Sequence, residues 1–106
     1  MYSIVLYALR SGKEPFAHWL NGLKDRESRA RIRRRLDRLA QGNTGDSKAL
    51  GDGVHELRLD FGPGYRVYYG YEGKTIIVLL LGGDKGSQAK DIAKAKDYWH
   101  DYQENR

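Results

Sequence analysis

The stretch from residue 54 to residue 81 constrains the fold more than any other part of the chain, because it holds two alternating segments and an apolar run separated by glycine turns. Leu57, Leu59 and Phe61 alternate with Glu56, Arg58 and Asp60, which is the period-two signature of a strand with one covered face. Gly62-Pro63-Gly64 supplies a turn, and Tyr65, Val67, Tyr69 and Tyr71 then alternate with Arg66 and Tyr68. The tyrosines that share a face with Val67 read as core. A hairpin centred on Pro63 sets Arg66 across from Asp60 and Tyr68 across from Arg58, so one face gathers two arginines, a phenol and two carboxylates. After Glu72-Gly73-Lys74, the run Thr75 to Leu81 is apolar at nearly every position and reads as a central strand covered on both faces.

The flanking segments complete a single domain over residues 1–106. Tyr2 to Leu9 reads as a strand covered on both faces. It lacks the preceding basic segment of a secretory leader. Ser11 to Glu14 has the form of a capping box, followed by Pro15 and by Phe16, Trp19, Leu20 and Leu23 at helical spacing. From Lys24 to Gln41 a second helix buries Ile32, Leu36, Leu39 and Ala40 and stops at Gly42. Gly42 to Gly53 reads as a polar surface loop and Gly82 to Gly86 as another. Ser87 then caps a last helix with Ala89, Ile92, Ala95, Trp99 and Tyr102 as its buried stripe. The expected order is β-α-α-β-β-β-α.

Nineteen Lys and Arg against 14 acids give a net charge of +5 and a pI near 9.5, which favours a polyanionic partner. The absence of cysteine excludes disulfides and thiolate metal sites, and the apolar run Ile76 to Leu81 is far too short to span a bilayer. A cytoplasmic protein is expected. Seven arginines lie between Arg26 and Arg38. At helical spacing Arg31, Arg34 and Arg38 point away from the apolar stripe and form a cationic ridge, suited to phosphates or equally to a solvated helix face. The second constellation is Arg58, Arg66 and Tyr68 on the sheet, with Lys85 on the following loop. Cleavage of RNA by side chains alone needs cations at the phosphate and groups that move protons, for which Glu56, Asp60, Tyr68 and Lys85 are the candidates. The same face also serves as a set of surface ion pairs. His18, His55 and His100 show no metal-ligand spacing, and no metal or cofactor is expected.

The segments Asp52 to Arg58, Gly62 to Tyr69 and Leu80 to Ile92, with their Gly-x-Gly-Tyr-Arg and Gly-Gly-Asp-Lys-x-x-Gln-x-x-Asp-Ile patterns, resemble the addiction-module killer proteins, HigB-like members of the RelE/ParE toxin superfamily. The resemblance implies an α+β fold, with a helical hairpin and a C-terminal helix packed on a curved, mainly antiparallel sheet. It also implies a toxin of a type II toxin–antitoxin system that cuts mRNA on the ribosome and is silenced by a cognate antitoxin, expected to carry a helix-turn-helix. By position, Arg66, Arg58 and Lys85 fall at the catalytic cations. Glu56, Tyr68 and Asp91 are candidates for proton transfer, and Gln88 joins Arg31, Arg34 and Arg38 as candidates for holding RNA. Two departures stand out: Glu56 occupies a position that is basic in RelE, and no tyrosine stands near Ala89 or Lys90. A ParE-like inhibitor of DNA gyrase and a non-catalytic nucleic-acid-binding module are the alternatives.

Overall fold

A computed structural model describes residues 1–105 as an α+β domain. Its elements are β1 (Ser3–Leu6), α1 (Pro15–Gly22), α2 (Arg26–Ala40), β2 (Ser47–Gly51), β3 (Val54–Leu59), β4 (Tyr65–Glu72), β5 (Ile76–Asp84) and α3 (Gln88–Glu104), with a 3₁₀ turn (Lys85–Ser87) leading into α3. The five strands form one mixed sheet in the order β1-β5-β4-β3-β2. The β1–β5 pair is parallel, and the other pairs are antiparallel.

Both faces of the sheet are covered. On one side Phe16 and Leu20 of α1 and Ile32, Leu36 and Leu39 of α2 pack against Leu57, Leu59, Val67, Tyr69, Ile77 and Leu79. On the other, Ala95 and Trp99 of α3 pack against Tyr7, Val54, Tyr68, Val78 and Leu80. β5 therefore sends successive apolar side chains into opposite cores, as its continuous run requires.

Six sequence expectations need correction. The segment 42–53 is not all loop, because Ser47–Gly51 pairs with β3 as an edge strand. Asp52 and Gly53, both at positive φ (57° and 85°), form the two-residue turn between them. β1 is not covered on both faces: it is the opposite edge, and Val5 is 37% exposed. Gly82 and Gly83 lie inside β5 rather than in a loop, because a Cβ at Gly82 would stand 2.0 Å from the Trp19 ring and one at Gly83 1.9 Å from Asp91 Oδ2. The 3–4 hairpin is centred on Gly62, with Leu59 opposite Tyr65, Arg58 opposite Arg66 and Glu56 opposite Tyr68. Asp60 has left the ladder, and the Gly64 amide donates to Phe61 O at 3.0 Å to close the turn.

The fifth correction concerns the helix caps. Before α1 the Ser11 hydroxyl accepts from the Lys13 amide at 3.3 Å, and the N-cap residue Glu14 makes no side-chain cap. Before α3 the capping box belongs to Asp84, whose carboxylate accepts from the Gly86 and Ser87 amides at 2.8 and 3.2 Å. Ala89, expected in the buried stripe of α3, is exposed, and Asp91 is buried in its place.

Candidate functional site: a buried carboxylate between two arginines

The 3–4 hairpin places Arg58 and Arg66 directly opposite one another, with Glu56 and Tyr68 as the next pair on the same face. α3 closes over that face, and its first residue brings a further group to the cluster. Glu56 is 0% exposed. Its Oε1 accepts from Arg58 Nε at 3.0 Å, its Oε2 accepts from the Gln88 amide at 2.8 Å, and Arg66 Nε lies 4.0 Å from Oε2. Burial by itself raises this carboxyl. The hydrogen bonds from Gln88 and Arg58 and the charges of Arg58 and Arg66 outweigh it and hold Glu56 below the ordinary glutamate range. Glu56 is therefore ionised at neutral pH, where it serves as an anchor for two guanidiniums.

Arg66 Nη1 donates to the carbonyls of Gly64 and Tyr65, each at 3.2 Å. Its buried Nε has no hydrogen-bond partner among the described residues, and neither has the hydroxyl of Tyr68. Tyr68 is 0% exposed. Burial first, then the carboxylates of Glu56 and Asp91, push its phenol well above the usual value, so it keeps its proton. Asp91 is also buried and accepts from the Ser87 hydroxyl. Lys85 is exposed on the 3₁₀ turn. A Cβ at Gly64 would stand 3.4 Å from Lys85 Cβ and 3.6 Å from Arg66 Nη1, so the two cations flank the end of the hairpin together.

Arg31, Arg34 and Arg38 are exposed on α2, as the helical spacing predicts. With Arg35, and with residues 58–61 on the opposite wall, they line a cleft of about 270 Å³. Arg58 belongs both to this wall and to the Glu56 cluster. Arg31 lies over the Phe61 ring at 3.9 Å. Arg35 donates to Asn43 O at 3.2 Å and to Thr44 O. Arg34 pairs with Glu27 at 3.2 Å on the solvent side. Asp60 is an exposed carboxylate in the cleft wall.

The structure thus brings Glu56, Arg58, Arg66, Tyr68 and Gln88 together, with Asp91 behind them and Lys85 at the rim. It sets Arg31, Arg34 and Arg38 in a neighbouring cleft. Gln88 is engaged by Glu56 rather than presented to solvent. Arg35 and Phe61 are additional cleft residues that the sequence reading did not single out. The spacing of Arg31, Arg35 and Arg38 at i, i+4 and i+7 is the signal for the first.

The sequence that builds this cluster has known relatives. The chain belongs to the phage-derived, Gp49-like protein family (DUF891), whose profile matches residues 18–99. That span includes every residue of the cluster and the cleft. The family is associated with the toxins of toxin–antitoxin systems, and membership implies a cognate antitoxin. An uncharacterized protein of Haemophilus influenzae (strain Rd) is 48% identical over 81 residues, covering 76% of this chain and 82% of the relative. Among the described residues no helix is long and apolar enough to cross a membrane.

Proposed function

We propose that this protein is the HigB-like toxin of a type II toxin–antitoxin pair, with the RelE/ParE-like fold, and that it acts in the cytoplasm as an endoribonuclease on mRNA engaged by the ribosome. The observation that carries this reading is the cross-strand pair Arg58 and Arg66, preordered on the buried carboxylate of Glu56 at the end of a cationic cleft. Two fixed guanidiniums beside an exposed ammonium suit a phosphodiester whose phosphorus passes through a pentacoordinate state, because the donors need no reorganisation as charge builds on the non-bridging oxygens.

In this reading the ribose 2′-hydroxyl attacks the adjacent phosphorus in line, the bond to the 5′-oxygen breaks, and a cyclic phosphate remains. Arg66 and Arg58 hold the non-bridging oxygens. Glu56 and Asp91 are buried and engaged, and Tyr68 is buried with its proton, so the role of proton acceptor falls to Asp60, the exposed carboxylate beside Arg58. Lys85 supplies the proton to the leaving 5′-oxygen.

The test is induction of the wild-type chain and of Arg66→Ala in a bacterium, with growth recorded and 5′ ends mapped on a translated message and on a copy lacking its start codon. Growth arrest with cuts confined to the translated message, both lost in Arg66→Ala, is the expected result. Arrest without cuts, together with inhibition of gyrase supercoiling, would replace this reading with the gyrase one.

A further inference from the structure

We infer that the cleft between α2 and the β3–β4 turn is a second anion site, built to hold the sugar–phosphate backbone of a single-stranded RNA next to the Arg58/Arg66 pair. The inference rests on the proposed function only for the identity of the polyanion. Four arginines of α2 line one wall, and among the described residues Asp60 is the only carboxylate in the lining.

Their order separates this cleft from a merely basic surface. Arg31 is held over the Phe61 ring by a cation–π contact at 3.9 Å. Arg35 is tied to two backbone carbonyls at the end of α2, and a Cβ at Gly45 would overlap its guanidinium. A ring face and two carbonyls fix these side chains without neutralising them. Burial and the adjacent charge of Arg38 both work against the positive charge of Arg35 and outweigh the opposing charge of Asp46, so the cleft wall crowds like charges that a polyanion would relieve. Planar forks fixed at helical spacing match successive phosphates better than mobile lysines would. Because Arg58 stands in the cleft wall and also on Glu56, a backbone lying in the cleft leads directly to the pair on the sheet.

The experiment uses the full chain and a short 2′-O-methyl RNA, which cannot be cut by a 2′-hydroxyl, with binding followed by fluorescence anisotropy from low to high salt. Two triple variants are compared: Arg31→Ala/Arg34→Ala/Arg38→Ala in the cleft, and Lys74→Ala/Lys90→Ala/Lys94→Ala, which removes the same charge from exposed positions elsewhere. All altered positions are exposed, and thermal melting checks that both variants remain folded. The cleft variant is expected to lose about tenfold or more in affinity and about 2 from the slope of log K against log salt, at roughly 0.7 per phosphate for a single strand. The lysine variant is expected to keep both within about threefold and about 0.5. Equal losses in the two variants, wild-type binding by the cleft variant, or no RNA binding by the wild type would each overturn the inference. So would a cleft variant that binds RNA normally but fails to bind the antitoxin, since the cleft would then be a protein site. Cleft-dependent binding without cleavage of a translated message would contradict the proposed function and leave this inference standing.

Discussion

The molecule carries the same kind of ion pair in two settings, Arg58 with Glu56 on the sheet and Arg34 with Glu27 on α2. In the first the carboxylate is 0% exposed and the guanidinium 35%; in the second the figures are 69% and 61%. Glu56 accepts hydrogen bonds from Arg58 on β3 and Gln88 on α3 and lies beside the charge of Arg66 on β4, while Glu27 answers to one arginine. The difference separates two uses of arginine. A guanidinium fixed on a buried anion is in place before a substrate arrives and can stabilise a transition state without reorganisation. A ridge guanidinium paired in solvent gains little from its partner, so it is free to exchange that partner for a phosphate.

The sharpest way to break this contrast is to remove each carboxylate. Glu56→Ala leaves the largely buried Arg66 without its counter-charge and is expected to destabilise the protein by about 3–5 kcal/mol. Glu27→Ala is expected to change stability by less than about 0.5 kcal/mol. Urea denaturation of the two variants reads the difference directly, and equal effects would erase the distinction. Next in size is Gly83→Ala, whose new Cβ would overlap Asp91 Oδ2 where α3 closes over the site. A loss of about 1–3 kcal/mol in the same titration is expected, and a neutral result would mean that α3 packs loosely enough to yield to the added methyl.

Acid sharpens the contrast further. The folded state lowers the Glu56 carboxyl, so the unfolded chain takes up its proton first as pH falls. The stability that Glu56 contributes is thus fully present above the ordinary glutamate value of 4.5 and is lost as pH falls through the lowered value of the folded protein. Glu56→Gln should flatten this part of the stability-against-pH curve, whereas Glu27→Gln should leave it as in the wild type. The smallest effect concerns the ridge: Phe61→Leu removes the ring beneath Arg31 and is expected to lower RNA affinity by about twofold to fivefold, corresponding to a cation–π contact of about 0.5–1 kcal/mol at an exposed site.

Much of the scaffold could be read from residue order. The alternation of residues 54–61 and 65–71, the apolar run of β5 and the stripes of α2 and α3 identify their elements, because each buries side chains at the period of its own geometry. β2 lacks that signal, since Lys48 and Ala49 are exposed and only its pairing to β3 defines it. The Asp52-Gly53 dipeptide was the available clue. The hairpin register turned on whether Asp60 stayed in the ladder, which side-chain pattern does not decide. Gly82 and Gly83 look like a turn in sequence, but they answer to the close approach of Trp19 and of Asp91.

The site was partly legible for the same reason. Arg58, Arg66 and Lys85 declare themselves as cations on neighbouring elements. That Glu56 is buried between the arginines depends on Gln88, 32 residues away on a helix whose docking no local pattern reveals. Tyr68, which alternation placed on the same face as the arginines, is sealed beneath α3 rather than open to a substrate.

The role of the Arg58/Arg66 pair is tested by single-turnover cleavage of an mRNA bound in purified ribosomes, with wild-type protein and with Arg66→Ala, and with thermal melting to show that both are folded. The expected result is a product ending in a 2′,3′-cyclic phosphate, no cleavage of the same RNA without ribosomes, and a rate roughly 10²- to 10³-fold lower in Arg66→Ala. Equal rates for the two proteins, or no cleavage by the wild type on the ribosome, would contradict that role.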